Sequence, residues 1–200
     1  HELGCTSQFG TIYGDKFYIV SKQEKDPGAT VIGSRLAVID AKTMKVLKEF
    51  TRIGDSDGRS FLGVDEHTGY IGTSNGIFLY DIDKMEIGER ITGTENTSGS
   101  LYSAQIGTMI RVGDRVFAVH QKDGLLVIDA KTHTLETTIL KPEEHEGHGL
   151  GSIVLSKDGT IWASPTVELT GPGASLPLIW KVDPTTLTVQ QVAIPTTSGI

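Results

Sequence analysis

The stretch Leu125-Leu126-Val127-Ile128-Asp129-Ala130-Lys131-Thr132 decides the fold, because three other segments of the chain repeat its pattern. Each segment is an apolar strand that ends in an aspartate and a turn. The aspartates are separated by 41, 48 and 54 residues, which is the range of a four-stranded propeller blade with loops of variable length. The four repeated aspartates are Asp40, Asp81, Asp129 and Asp183.

A glycine that follows an apolar residue recurs once per unit, ahead of the aspartate strand. We expect it to mark the innermost strand, where backbones that approach closely around a shared axis would require glycine. No window of helical length carries a 3.6-residue apolar period, so the predicted class is all-β. The recurring pairs are Phe9-Gly10, Leu62-Gly63, Ile106-Gly107 and Leu150-Gly151.

The units predict a β-propeller region of four consecutive four-stranded blades, at approximately residues 5–51, 58–93, 104–141 and 149–195. No strand is left over to complete a blade from the other terminus. A closed four-bladed ring and an arc of a larger ring both fit this count. We expect the arc, which would leave two apolar blade faces exposed. Two chains could also complete one eight-bladed ring.

Composition excludes several classes of partner and structure. The net charge of -7 and the 18 dispersed basic residues give no concentrated positive field, so nucleic acid is not an expected partner. No apolar run approaches the roughly 20 residues of a membrane-spanning helix. The single cysteine, Cys5, excludes an internal disulfide framework.

Five further segments are informative together, because they cover nearly the whole chain: residues 8–15, 34–41, 58–63, 70–76 and 128–132. Through these segments the chain resembles the YncE-like, "surface layer" type β-propellers that Bacteroidetes export as lipoproteins, many of them known only as domains of unknown function. That resemblance implies a closed, usually seven-bladed ring, of which this chain would be an incomplete part. It also implies a location at the cell surface or in the periplasm and leaves open a lipid anchor upstream of His1.

Three motifs with catalytic or metal-binding spacing have simpler structural interpretations. Gly72-Thr73-Ser74-Asn75-Gly76 matches the nucleophile elbow of hydrolases, but it links two strands, so we expect a hairpin turn supplied by Asn75-Gly76. The calcium-loop pattern of residues 55–66 has its glycine at the fourth place rather than the sixth. The cluster Glu143-Glu144-His145-Glu146-Gly147-His148 lacks a further ligand at a recognisable spacing. We therefore expect no enzyme activity, no metal and no cofactor.

Ligand binding is expected on the face that carries the loops between second and third strands and between consecutive blades. These loops are mostly longer than the turns of the opposite face. The resemblance implies a small polar ligand, of the corrinoid or the glycan class, taken up with an outer-membrane transporter as partner. A protein-interaction scaffold is the alternative, and a metal-dependent propeller enzyme is a third. The candidate ligand-binding residues are Lys22, Gln23, Arg59, Asn75, Tyr102, Gln105, His120, Gln121 and His148.

Overall fold

The part of the chain that the structure describes forms sixteen strands in four antiparallel sheets. The computed structural model describes residues 7–23, 33–51, 53, 58–95, 105–141, 149–165 and 178–193, and within these ranges it contains no helix. None of those residues therefore forms a helix long and apolar enough to cross a bilayer. The all-β class and the four four-stranded sheets predicted from the repeat are confirmed.

Each sheet follows chain order from its inner to its outer strand, as propeller blades do. The first two sheets are β1 (Ser7–Tyr13), β2 (Lys16–Gln23), β3 (Gly33–Asp40) and β4 (Val46–Thr51), then β5 (Gly58–Gly63), β6 (Thr68–Thr73), β7 (Gly76–Asp81) and β8 (Glu86–Arg90). The last two are β9 (Ile106–Val112), β10 (Arg115–His120), β11 (Gly124–Asp129) and β12 (Thr134–Ile139), then β13 (Leu150–Leu155), β14 (Ile161–Pro165), β15 (Leu178–Val182) and β16 (Val189–Ala193).

The repeated aspartate has a structural role in the turn between the third and fourth strands of each blade. Asp40 Oδ1 accepts hydrogen bonds from the backbone N–H groups of Lys42 and Thr43, at 3.0 and 2.6 Å. These bonds hold the pKa of the Asp40 carboxyl below its usual value. The fourth residue after each aspartate has a positive φ, which closes the turn. The four residues with this φ are Met44, Met85, His133 and Leu187.

A second hydrogen bond clamps the two turns of a blade together at the same end of the sheet. The residue after the aspartate donates its backbone N–H to a carbonyl in the turn between the first and second strands, so the two hairpins close on each other. The fourth blade has Pro184 at this position, and proline has no N–H to donate. The three bonds present run from Ala41 to Asp15, from Ile82 to His67 and from Ala130 to Asp114.

Three apolar clusters fill the spaces between consecutive sheets, one for each neighbouring pair. The cluster between the first two sheets contains Tyr18 stacked on Phe61, with ring centroids 3.9 Å apart, and Tyr80 edge-on to both. Among the described residues, each cluster joins one sheet to the next along the chain, as in a series of propeller blades. The described parts of the first and fourth sheets share no such cluster.

For Gly10 and Gly63, the expected reason for the recurring inner-strand glycine, backbones that crowd around the axis, is wrong. A Cβ on Gly10 would lie 2.6 Å from the Phe17 ring, and one on Gly63 would lie 2.3 Å from the Tyr13 ring, so these glycines make room for aromatic side chains. Gly107 and Gly151 instead lie where the pairing of the inner strand is interrupted by a β-bulge. The glycines therefore serve two different local purposes.

Candidate functional site

The two ends of the sheets differ in construction. We call the end with the aspartate turns the turn face, and the end where the second strand connects to the third the loop face. The turn face is closed by the same hydrogen bonds in successive blades, so its repeated residues maintain the fold. On the loop face the side chains differ from blade to blade, which leaves that face available for a specific function.

A β-bulge occurs in every inner strand close to the loop face. Arg59 is the extra residue of the bulge in β5, because Gly58 pairs with Thr73 while Ser60 pairs with Gly72. Bulges re-aim a side chain out of the regular alternation of a strand, and they are frequent beside binding sites. Arg59 is half-buried there, so the structure gives this candidate a place beside the axis of the propeller.

Hydroxyl groups of the inner strands join consecutive blades next to these bulges. Ser60 Oγ donates to the carbonyl of Ile106 at 3.2 Å, and Thr11 Oγ1 donates to the carbonyl of Phe61 at 3.4 Å. Thr108 Oγ1 and Ser152 Oγ lie 3.2 Å apart. The four inner strands, β1, β5, β9 and β13, contain no aspartate, glutamate or histidine. The described residues contain no group of three side chains that could bind a metal ion together.

His120 is buried at the end of β10, with 1% of its surface exposed. Its Nδ1 accepts the backbone N–H of Asp123 at 3.0 Å, so the ring caps the turn that follows. Burial lowers the pKa of His120 below its ordinary value; the nearby Asp123 carboxylate opposes this effect and Lys122 reinforces it. Thr73 caps the equivalent turn of the second blade through its hydroxyl. His120 thus supports the loop face from beneath.

The structure brings Gln105, His120 and Gln121 together at one point of the loop face. The backbone N–H of Gln121 donates to the carbonyl of Gln105 at 3.1 Å, and the carbonyl of Gln121 accepts the N–H of Leu150 at the same distance. Residue 121 therefore ties the start of β9 to the start of β13. The side chain of Gln105 is buried, whereas that of Gln121 is half-buried.

Asn75 lies in the equivalent turn of the second blade, and the hairpin predicted for residues 72–76 is confirmed. Thr73 pairs with Gly76, so Ser74 and Asn75 form its two-residue turn, one residue earlier than the predicted Asn75-Gly76. Arg90 Nη1 donates to the carbonyl of Asn75 at 3.4 Å, and Arg90 Nη2 lies 3.4 Å from Glu95 Oε1. Sequence reasoning did not single out this ion pair, and no motif marks it.

The remaining candidates are only partly located. Lys22 and Gln23 belong to the last residues of β2, at the loop-face end of the first blade. Tyr102 and His148 lie outside the described residues, as does the acidic cluster at residues 143–148.

Comparison with solved structures gives propellers as neighbours. The extracellular domain of the putative one-component system BT4673 of B. thetaiotaomicron has a TM-score of 0.65 at 14% identity, over 99% of this chain and 23% of that one. The WD40 domain of Neurospora crassa Pan2 has a TM-score of 0.64 at 14% identity, over 94% of this chain and 50% of that one. This chain thus spans half or less of both proteins.

A computationally designed protein, Ika4, has a TM-score of 0.55 at 14% identity, over 98% of this chain and 94% of that one. Identities this low show the fold alone, which is the β-propeller. The curated proteins contain no match to this chain. The model of one family, described as "Domain of unknown function (DUF5074)", matches residues 1–199. Since that match covers nearly every residue, the chain belongs to the DUF5074 family.

Proposed function

We propose that this chain is part of a non-catalytic binding propeller that captures a small polar ligand on its loop face, at the cell surface or in the periplasm. A corrinoid or a glycan is the ligand class, and an outer-membrane transporter is the partner. The YncE-like resemblance supports this class, and an extracellular domain among the structural neighbours is consistent with the location.

The observation that carries the proposal is the difference between the two faces. On the turn face, the repeated aspartates accept hydrogen bonds from backbone N–H groups of their own turns, and a residue with positive φ closes each turn. The same turn recurs in each blade, so its polar groups already have partners within the fold. The loop face presents an arginine in a bulge and amide side chains in the turns, all groups that bond polar ligands. Propeller strands hold such groups rigidly.

A thermal-shift screen with cobalamin, cobinamide and a glycan panel tests the proposal. We expect one class to raise the melting temperature in proportion to the logarithm of its concentration. Gln121→Ala and Asn75→Ala, both half-buried turn positions on the loop face, should reduce that shift. Lys157→Ala, an exposed position in a turn of the opposite face, is the matched control and should leave it unchanged.

Two results would contradict the proposal. A shift that disappears in the Lys157→Ala variant, with the loop-face variants unaffected, would place the ligand on the turn face. A flat response to every probe would favour the alternative function, a scaffold for protein partners, and pull-down from the native envelope would then identify them.

A further inference from the structure

The two ring nitrogens of His120, which is buried at the loop-face end of β10, have different surroundings. Nδ1 accepts the backbone N–H of Asp123 at 3.0 Å. It therefore carries a lone pair, and the proton of the neutral ring lies on Nε2. Nε2 is buried without a hydrogen-bond partner among the residues that the structure describes. The ring therefore caps the turn at residues 121–123 only while its Nδ1 is unprotonated.

Protonation of Nδ1 removes the hydrogen bond that caps this turn. The new N–H would point at the Asp123 N–H, and two donors cannot bond to each other. The Asp123 carboxylate is an alternative acceptor, since its Oδ2 lies 3.2 Å from Nδ1, but its side chain is 42% exposed and water weakens the attraction. The imidazolium would also keep a buried, unbonded Nε2–H. A charged ring is therefore unfavourable in the closed turn.

Burial is the largest influence on the protonation of the ring. It lowers the pKa of His120; the Asp123 carboxylate acts against this effect, and Lys122 adds to it. The other charged side chains on the elements around β10 lie at the far ends of their strands or at the rim of the loop face. They are Arg111, Arg115 and Asp129 at the turn face, and Arg59, Arg90, Glu95 and Lys141 at the loop face.

The turn that His120 caps also ties two inner strands to the third blade. Gln121 donates its N–H to the carbonyl of Gln105, and its own carbonyl accepts the N–H of Leu150, both at 3.1 Å. Gln105 directly precedes β9, and Leu150 is the first residue of β13. Both residues are buried, so opening of the turn would break polar contacts at the loop-face ends of two blades.

The second blade has the same arrangement without a group that titrates near neutral pH. Thr73 pairs with Gly76 as His120 pairs with Gly124, and the Thr73 hydroxyl accepts the N–H of Asn75 at 3.0 Å. Histidine is the side chain that changes charge near neutral pH, whereas a threonine hydroxyl does not. The third blade is also flanked by described blades on both sides, so this difference does not depend on the total number of blades.

We infer that His120 is an acid-sensitive latch of the loop face: the neutral ring holds the turn at residues 121–123 closed, and protonation of Nδ1 opens it and releases Gln121 from Gln105 and Leu150. Release of a ligand in acid is the functional consequence, and that consequence rests on the proposed function. The opening itself is a property of the chain without ligand.

The direction of the pH dependence follows from the burial of the ring. The pKa of His120 in the closed turn is lower than its ordinary value of 6.5, so the closed turn binds the proton less readily than the open turn does. The closed turn is therefore fully favoured above pH 6.5 and loses stability as pH falls below that value. Because opening takes up one proton, its equilibrium constant should rise by about tenfold per pH unit in this range.

Hydrogen exchange of the wild-type chain, measured by NMR from pH 7.5 to pH 5.0, tests the inference. The rates are corrected for the intrinsic effect of pH on exchange. The protection factors of the Gln121, Asp123 and Leu150 amides should fall by about tenfold per pH unit below pH 6.5. The Asn75 amide, which Thr73 caps, is the internal control and should keep its protection over the same range.

His120→Asn separates the hydrogen bond from the titration. An asparagine amide oxygen lies at the same distance along the side chain as Nδ1, can accept the Asp123 N–H and does not titrate. The three amides should therefore keep the same protection from pH 7.5 to pH 5.0 in this variant. Long-range 1H–15N spectra of the wild type give a second readout that needs no substitution. They should show His120 protonated at Nε2 and not at Nδ1 at pH 7.5.

Three results would overturn the latch. They are protection of the Gln121, Asp123 and Leu150 amides that follows the same pH course as that of Asn75, a pH dependence that persists in His120→Asn, and a proton on Nδ1 of the wild type at pH 7.5.

Thermal shift with cobalamin, cobinamide and the glycan panel, at pH 7.5 and pH 5.0, tests the consequence for binding. A probe that stabilises the chain at pH 7.5 should lose most of its effect at pH 5.0. An equal shift at both pH values would show that the latch does not control binding. A flat response at both would contradict the proposed function, while the exchange measurements would still decide whether the latch exists.

Discussion

Two tyrosines at the same repeat position offer a sharp test of the inter-blade packing. Tyr18 and Tyr70 are both 0% exposed, yet their hydroxyl groups have different surroundings. Tyr70 Oη lies 2.9 Å from His133 Nδ1, whereas Tyr18 Oη is buried with no hydrogen-bond partner among the residues that the structure describes. The third blade has Phe117 at this position, so a phenylalanine ring fits the site. Tyr18→Phe and Tyr70→Phe should therefore change stability in opposite directions.

The expected magnitudes follow from the hydrogen bonds. A buried hydroxyl without a partner carries a desolvation penalty of about 1–3 kcal/mol, so Tyr18→Phe should raise the free energy of unfolding by about 1 kcal/mol. Tyr70→Phe removes a hydrogen bond whose net contribution is about 0.5–1.5 kcal/mol, and it leaves the His133 ring nitrogen to water. The difference between the variants should be about 2 kcal/mol, and the ring stacking on Phe61 is kept in Tyr18→Phe.

Urea denaturation, followed by far-UV circular dichroism, measures both variants. The denaturation midpoint should rise for Tyr18→Phe and fall for Tyr70→Phe. The dependence of the free energy of unfolding on urea concentration should stay the same, which indicates that the surface exposed on unfolding is unchanged. The melting temperatures should move with the midpoints, by about 2–4 °C per kcal/mol in a chain of this length. Equal destabilisation of the two variants would refute the reasoning, because it would mean that the Tyr18 hydroxyl is bonded.

Three further predictions concern pH and backbone geometry. Burial raises the pKa of Tyr18 to about 12, above its unfolded value of 10.0. The unfolded chain therefore gives up the Tyr18 proton more readily than the folded chain, so the free energy of unfolding falls as pH rises from 10 to 12. Urea midpoints of Tyr18→Phe should fall less than those of the wild type over that range. Gly63→Ala should lower the free energy of unfolding by about 2 kcal/mol or more, since the new Cβ would overlap the Tyr13 ring. A Cβ at Gly113 meets open space, so Gly113→Ala should cost only the strain of its positive φ, about 1–2 kcal/mol. Urea denaturation midpoints compare the two variants. Hydrogen bonds within the turns lower the carboxyl pKa values of the repeated aspartates from 3.8. The ionised aspartates therefore stabilise the fold above that pH, and this stabilisation is lost as pH falls through the lowered pKa values. An acid titration by circular dichroism should be shallower for Asp129→Ala than for the wild type. The aspartates concerned are Asp40, Asp81, Asp129 and Asp183.

The repeat was the part of the fold that sequence could predict well, because its signal is local. The aspartate and the residues after it form a turn that needs no distant partner. The turn predicted at Asp129 is therefore the one observed, in which the Thr132 N–H donates to the Asp129 carboxylate. The glycines were misleading for the opposite reason. Gly63 depends on Tyr13, which belongs to another blade, and no local pattern records that contact.

The candidate site was harder to predict because its residues act through the tertiary fold. His120 occupies the position that Thr73 holds in the second blade, and both side chains cap the turn that follows their strand. Comparing the blades position by position would have shown this. Arg59 depends on a bulge that only the strand register reveals.

Pro184 makes the fourth blade depend on its neighbour in a way that the other blades do not. Without the N–H that clamps the turns of the first three blades, this turn is held from outside: Arg115 Nη1 of the third blade donates to the carbonyls of Pro184 and Thr185, at 3.1 and 3.0 Å. Among the aspartate turns of the four blades, the turn at Asp183 should therefore show the fastest hydrogen exchange. Removal of the Arg115 guanidinium should increase exchange at that turn before it does so at the other three. Opening of the series would then begin at this end and travel inward, one blade at a time.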